Sequence, residues 1–181
     1  MKKALAIVNV QNDYFPDGGL PTWRPVKTAS EIKKLLGKFR QDGKKVIHVA
    51  HHTTPEQQSF FPFLVKGTRG AEFHETVKSL DPEKVIFKEY SDGFHHIDLK
   101  EYLLSKQIDT VIIVGMMIHN CVNAITYSST DEDSKSIVVA EAVNIMDQQI
   151  FGEMIPAETI WKSFLAGITF AYAKVKKYII F

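Results

Sequence analysis

A thiol, an amine and a cluster of amides each follow a short Val/Ile-rich run in this 181-residue chain. The thiol is Cys121, the only cysteine, reached through Gly115-Met116-Met117-Ile118-His119-Asn120. The amine is Lys88, which closes the run Lys84 to Lys88 and precedes Tyr90, Ser91, Asp92 and Phe94. The polar cluster is Asn9, Gln11, Asn12 and Asp13, at the end of the run Ala4 to Val10. Cys121, Val122 and Ile125 have helical spacing, which puts the thiol at or near a helix start. There, unpaired backbone N–H groups and the helix dipole favour an anion, which is the form in which a thiol is a nucleophile. The same N–H groups can hold an oxyanion on a substrate carbonyl, and a nearby Lys88 ammonium would stabilise the thiolate further. A lone cysteine is otherwise a small buried hydrophobe, and a lone lysine a solvated charge. It is their combination with the Gly115 turn that points to chemistry.

The elements needed to gather these groups are legible from the hydrophobic pattern. Apolar runs at Ala4 to Val10, Lys45 to Ala50, Lys84 to Lys88, Thr110 to Gly115, Lys135 to Ala140 and Lys176 to Ile180 do not alternate with polar residues. Continuous apolar runs of this length suit strands buried on both faces, hence a parallel sheet. Between them, Ile32, Leu35, Leu36 and Phe39 repeat with helical spacing, and Asp42-Gly43 ends that helix. Leu99, Tyr102 and Leu103 mark a second helix, and Cys121 to Ile125 a third. The last carries Ile160, Phe164 and Ile168, with Pro156 at its first position. Alternation of this kind predicts one doubly wound α/β domain spanning residues 1–181, with helices on both faces. In such a sheet ligands bind beyond the carboxyl ends of the strands, where the strand order reverses. Asn9, Lys88 and Cys121 all belong to such ends.

The stretches Pro16 to Pro25, Thr53 to Gly70 and Asp147 to Met154 are read as irregular, the second carrying Phe60, Phe61 and Phe63. Phe15, Trp23, Phe60, Phe61, Tyr90, Phe94 and Met117 are candidate pocket walls or core, and they suit an apolar or aromatic ligand. Lysine plus arginine (22) nearly balance aspartate plus glutamate (21), leaving a formal charge of +1 without long single-sign blocks. That gives no basis for binding nucleic acid or an acidic membrane surface. Met1-Lys2-Lys3 leads into an apolar run of only seven residues, far short of a membrane span. One cysteine rules out an internal disulfide framework and suits a reducing cytoplasm. No Gly-rich phosphate loop follows the first run, which argues against a flavodoxin-like cofactor carrier. Ser91 and Ser128 lack a neighbouring base, which argues against a serine nucleophile.

Three separated segments carry a family resemblance. ALAIVNVQNDYF (Ala4 to Phe15), Lys88 at the end of its strand, and GMMIHNCV (Gly115 to Val122) occur in the order found in isochorismatase-like cysteine hydrolases. Gly67 to His74, Ser91 to Phe94 and Gly152 to Ala157 extend the likeness over nearly the whole chain. The resemblance implies a six-stranded parallel sheet, an Asp-Lys-Cys triad and no cofactor. It further implies a non-proline cis peptide between Met116 and Met117, and an oxyanion hole from the N–H groups of Met117 and Cys121. His119 belongs to the same loop and is assigned to substrate binding. Such enzymes attack small amides, ureido groups and related C–N bonds, and they are commonly homodimers or higher homo-oligomers.

One position departs from the pattern. Asn9 stands where the family has its proton-shuttling aspartate. An amide nearly matches a carboxylate in shape but cannot take up and return a proton, a contribution typically worth about 10²–10⁴ in rate. Asp13 is no ready substitute, because it reads as the side chain of an Asx turn. An engineered Asp-to-Asn variant and a natural member with reduced or diverted activity both fit this sequence. Ile118 likewise replaces a threonine common in the family. Nicotinamidase-type relatives hold a metal through Asp-x-His and further histidines. Here His48, His51, His52 and His74 are present without that Asp-x-His spacing, so a metal-free site is expected. His95 and His96 are candidates for the entrance. The sequence therefore supports two readings: a cofactor-independent hydrolase using Cys121, Lys88 and Asn9, or an impaired relative that binds a small molecule.

Overall fold

A computed structural model of the chain describes residues 2–92 and 99–179. Strands β1 (Lys3–Val8), β2 (Lys45–His51), β3 (Lys84–Lys88), β4 (Thr110–Met116) and β5 (Lys135–Asn144) alternate with helices α1 (Pro25–Gln41), α2 (Leu99–Ser105) and α3 (Asn123–Asp131). A hairpin of β6 (Gln148–Ile150) and β7 (Glu153–Ile155) follows, then α4 (Ala157–Thr169) and β8 (Lys174–Lys176). Among the described residues, six strands pair in parallel in the order β3-β2-β1-β4-β5-β8. The order reverses between β1 and β4, so the switch-point crevice opens above their carboxyl ends.

Side-chain alternation along β1 explains why the sheet needs helices on both faces. Ala4, Ala6 and Val8 enter one apolar core with Leu99, Leu103, Ile125, Ile160 and Ile168 from α2, α3 and α4. Leu5 and Ile7 enter the other, with Ile32, Leu35, Leu36 and Phe39 from α1. Those four α1 residues are each at most 5% exposed, and burying such side chains is worth about 1.5–3 kcal/mol apiece. Pro25 occupies an opening position of α1, where its missing N–H costs nothing.

Three local expectations need correction. The stretch after Asp147 is not irregular: Phe151 (φ 51°) and Gly152 (φ 80°) form the two-residue connection of the β6–β7 hairpin, both in the left-handed region that such tight hairpins require. A bulky Phe at that position hides the signal. The last strand is Lys174–Lys176 rather than Lys176 to Ile180, because its pairing with Ile137 to Val139 of β5 fixes the register. Pro156 is the N-cap of α4, with extended backbone, and not its first helical residue.

Candidate active site

Each chemical group sits where a strand hands over to its next element. At the end of β1, Asn9 adopts φ 50°, a left-handed conformation that Asn tolerates better than most residues. Its N–H donates to the Val49 carbonyl at 2.8 Å, and its side chain is fully buried. Its amide makes no hydrogen bond of ordinary geometry, although it lies close enough to the Tyr14 phenol to act on that group. A buried amide so poorly paired is costly in a finished core and suits a site completed by ligand.

The Lys88 ammonium, 2% exposed, spends its donors on three acceptors. It donates to Cys121 Sγ at 3.0 Å and to the Tyr90 carbonyl at 2.8 Å, and it lies 3.2 Å from His51 Nδ1. Burial lowers the pKa of Lys88, while the charge of the Cys121 sulfur opposes that shift. His51 pairs with Lys88 in the β2–β3 register, which is what brings the two side chains together. Burial first, and the Lys88 charge second, push the His51 pKa down to about 4, so its ring is neutral near pH 7. Gln11 locks this strand end in place. It accepts from the His51 N–H at 2.9 Å and donates to the His51 and Ala71 carbonyls at 2.9 and 2.8 Å.

Cys121, 4% exposed, lies in a wide helical turn over Ile118–Val122 that leads directly into α3. The Met116–Met117 peptide before it is cis. The Met117 carbonyl accepts from the N–H groups of Asn120 (3.1 Å) and Val122 (3.3 Å), which curls the chain around the sulfur. Gly115 makes this approach sterically feasible. It has φ +130°, and a Cβ there would lie 1.9 Å from the Val8 carbonyl oxygen. The step from β4 into the thiol turn therefore passes against the residue before Asn9, and only glycine fits.

Tyr14 completes the neighbourhood. It sits in the one-turn helix Asn12–Tyr14, 3% exposed, with its phenol close enough to Asn9 and Cys121 to be influenced by both. Burial holds that phenol protonated well above the ordinary tyrosine range; the Cys121 charge adds to the effect and Asn9 opposes it. Asp13 beside it has a different task. Its carboxylate accepts from the N–H groups of Leu64 (2.6 Å) and Gly19 (3.0 Å), clamping two loops together. Gly70 lies so close that a Cβ there would meet Asp13 Oδ1 at 2.1 Å.

The other candidate residues are dispersed. Phe15 is buried and stacks on His74 at 3.6 Å between ring centroids. Trp23 meets Trp161 edge-on and lies under the Arg24 guanidinium. Phe60 and Phe61 are exposed and contact each other on the Thr53 to Gly70 loop. Tyr90 is exposed, with its carbonyl turned to Lys88. Met117 is buried in the core on the α1 side of the sheet. His119 is half-buried against Phe164, with Nδ1 unpartnered. Phe94, His95 and His96 lie outside the described residues. A cavity of about 930 Å³ opens elsewhere, lined by Phe15, His52, Arg69, His74 and Phe87 among others, and it does not include Asn9, Lys88 or Cys121. The thiol site takes precedence over it, because only there do a nucleophile and an ammonium converge.

Sequence reading overlooked Tyr14 and the approach of His51 to Lys88. The signal for His51 is strand register, which one sequence does not reveal. For Tyr14 it is a single helical turn that swings the phenol back over the strand end. Among the described residues, no three His, Cys, Asp or Glu side chains are grouped to hold a metal ion. His48 instead pairs with Glu83 at 2.9 Å. Nor is any described helix long and apolar enough to cross a membrane.

The sheet order defines a doubly wound α/β architecture with its site at the strand ends, and comparison with known proteins gives it a family. The isochorismatase domain family matches residues 3–150. YddQ of Bacillus subtilis, an isochorismatase-family protein, is 35% identical over 176 residues, covering 97% of this chain and 96% of its own. A crystal structure from Oleispira antarctica, assigned as an isochorismatase hydrolase, superposes with a TM-score of 0.89 at 34% identity, covering 96% of this chain and 92% of that one. N-carbamoylsarcosine amidase from Thermoplasma acidophilum superposes with a TM-score of 0.80 at 25% identity, covering 99% of both chains. This chain belongs to the isochorismatase family, whose members are hydrolases.

Proposed function

We propose that this protein is a cysteine-nucleophile hydrolase of small-molecule amides or related C–N bonds. The observation that carries the reading is the 3.0 Å contact of the buried Lys88 ammonium with Cys121 Sγ. An ammonium at that distance is the counter-charge a thiolate needs to persist away from bulk water. The likeness to an amidase points to C–N bonds as the target. In this reading Cys121 attacks the substrate carbonyl, and the N–H groups of Met117 and Cys121 receive the developing oxyanion. Asn9 orients the substrate through its amide, and Tyr14 supplies a neutral donor near Asn9 and Cys121. The reaction needs no cofactor, and the expected partner is the small substrate itself.

A second reading, a small-molecule binding protein without turnover, draws on one observation: Asn9 is fully buried at the end of β1 and cannot shuttle a proton. A panel of small amides and ureido compounds separates the two, assayed with the natural chain, Cys121→Ala and Asn9→Asp. The hydrolase reading expects turnover by the natural chain that Cys121→Ala abolishes. Asn9→Asp is expected to raise the rate by about 10²–10⁴, the usual worth of a positioned acid–base group. Turnover confined to Asn9→Asp would favour the binding protein instead.

A further inference from the structure

The geometry points to Lys88 as the group that carries the proton through the reaction, in place of the carboxylate absent at residue 9; this rests on the hydrolase reading above. Three observations support it. Asn9 has no titratable atom. Lys88 donates directly to the nucleophilic sulfur, so one of its protons already lies on the path between base and thiol. Among the described residues, the groups facing Nζ leave it as the candidate there. From β2, His51 presents Nδ1 to the amine, and its ring is occupied in fixing the amine's position. From the segment after β3 come the Tyr90 carbonyl, which holds no proton, and the charge of Asp92, which favours the ammonium. From the turn before α3 comes Cys121 itself. Tyr14 is held protonated by burial and makes a poor base. Asp13 is bound to the Leu64 and Gly19 N–H groups. Burial also makes the Lys88 ammonium readier to give up a proton than an exposed lysine.

The steps balance. Lys88 amine takes the Cys121 proton, giving the ammonium–thiolate pair. The thiolate attacks the amide carbon, forming the C–S bond and moving the carbonyl π electrons onto oxygen. When the oxyanion collapses, the C–N bond breaks and the ammonium returns its proton to the leaving nitrogen. That nitrogen is two bonds from the sulfur to which Nζ donates at 3.0 Å, which brings it within reach of the same ammonium. Lys88, now a neutral amine, takes a proton from an entering water whose oxygen attacks the thioester carbon. The C–S bond breaks, the thiolate leaves, and the ammonium is restored. The net change is amide plus water to acid plus amine.

The test separates the two halves of this cycle with p-nitrophenyl acetate, whose leaving group needs no proton, against the natural chain and Lys88→Arg. Arginine keeps the cation beside sulfur but does not give up a proton. Both proteins are expected to reach a stoichiometric p-nitrophenolate burst with acetyl on Cys121 by mass spectrometry, Lys88→Arg more slowly because its thiol must lose its proton to solvent. Steady-state deacylation by Lys88→Arg is expected to fall at least ~100-fold. In the natural chain the deacylation rate should rise with pH to a plateau, with an inflection below the ordinary lysine value of about 10.4. Deacylation by Lys88→Arg within about threefold of the natural rate overturns the proposal, as does a natural-chain profile with no inflection other than hydroxide dependence. The pH profile needs no variant, so a misfolded Lys88→Arg does not shield the idea. No acetyl on Cys121 in the natural chain overturns the hydrolase reading, and this proposal with it.

Discussion

Single residues govern this site through what they exclude as much as through what they bond. Gly115 is the clearest case: with φ +130° and a virtual Cβ 1.9 Å from the Val8 carbonyl, any side chain must push β1 and β4 apart. Gly115→Ala is expected to cost at least about 4 kcal/mol, seen as loss of the urea transition or of soluble protein. A normal urea midpoint for that variant would show that β1 and β4 can part cheaply. Position 9 behaves differently. Its φ of 50° is tolerated by both Asn and Asp, so Asn9→Asp should keep the fold and test only chemistry. Cys121 and Lys88 could be read from sequence because a strand end places its next side chain with little ambiguity. His51 and Tyr14 could not: one needs the β2–β3 register, the other the turn at Asn12–Tyr14, and neither leaves a periodic trace.

Among elements, connections decide more than regular segments do. The strands β1 to β5 were legible because a sheet covered on both faces demands apolar runs, whereas β8 is a short, largely exposed edge strand that was misplaced, and the β6–β7 hairpin was hidden by Phe151 in a position usually held by Asn or Asp. That residue is 97% exposed with φ 51°, so its side chain has no packing to offset a left-handed backbone. Phe151→Asn is therefore expected to stabilise the chain by about 0.5–1 kcal/mol, read as a higher urea midpoint with an unchanged slope. An unchanged or lower midpoint would mean that Phe151 contributes contacts of its own. The loops around Asp13 hold together through its carboxylate, which satisfies a buried N–H at Leu64 and a second at Gly19. Asp13→Ala would leave both donors without that acceptor, at about 1–3 kcal/mol for each one kept from water. Limited proteolysis should then cut the Thr53 to Gly70 loop faster, and a cutting rate like that of the natural chain would sink the clamp.

At the scale of the whole molecule, the histidines share one electrostatic condition. The described histidines His48, His51, His52, His74 and His119 all have lowered pKa values, with burial as the leading cause in each. Unfolding releases them to the ordinary value of 6.5, so below that pH the unfolded chain binds more protons than the folded one. Stability is therefore complete above about pH 6.5 and is lost as pH falls. For His51, whose folded value is about 4, the loss continues down to that pH and amounts to about 2 kcal/mol between pH 7 and 5. His52 and His74, closer to solvent, add less because water screens their charge. The Glu83 carboxylate does not confuse the measurement. Glu83, paired with Arg40 and His48, titrates at about 2 when folded against 4.5 when free, so its stabilisation is lost only at lower pH. Urea titrations at pH 7, 6 and 5 should show the midpoint falling at each step, with protons taken up on unfolding. A midpoint that holds or rises between pH 6 and 5 would mean that these rings are charged inside the folded protein, and with His51 charged at 3.2 Å the Lys88 ammonium would lose the acceptor that steadies it against Cys121.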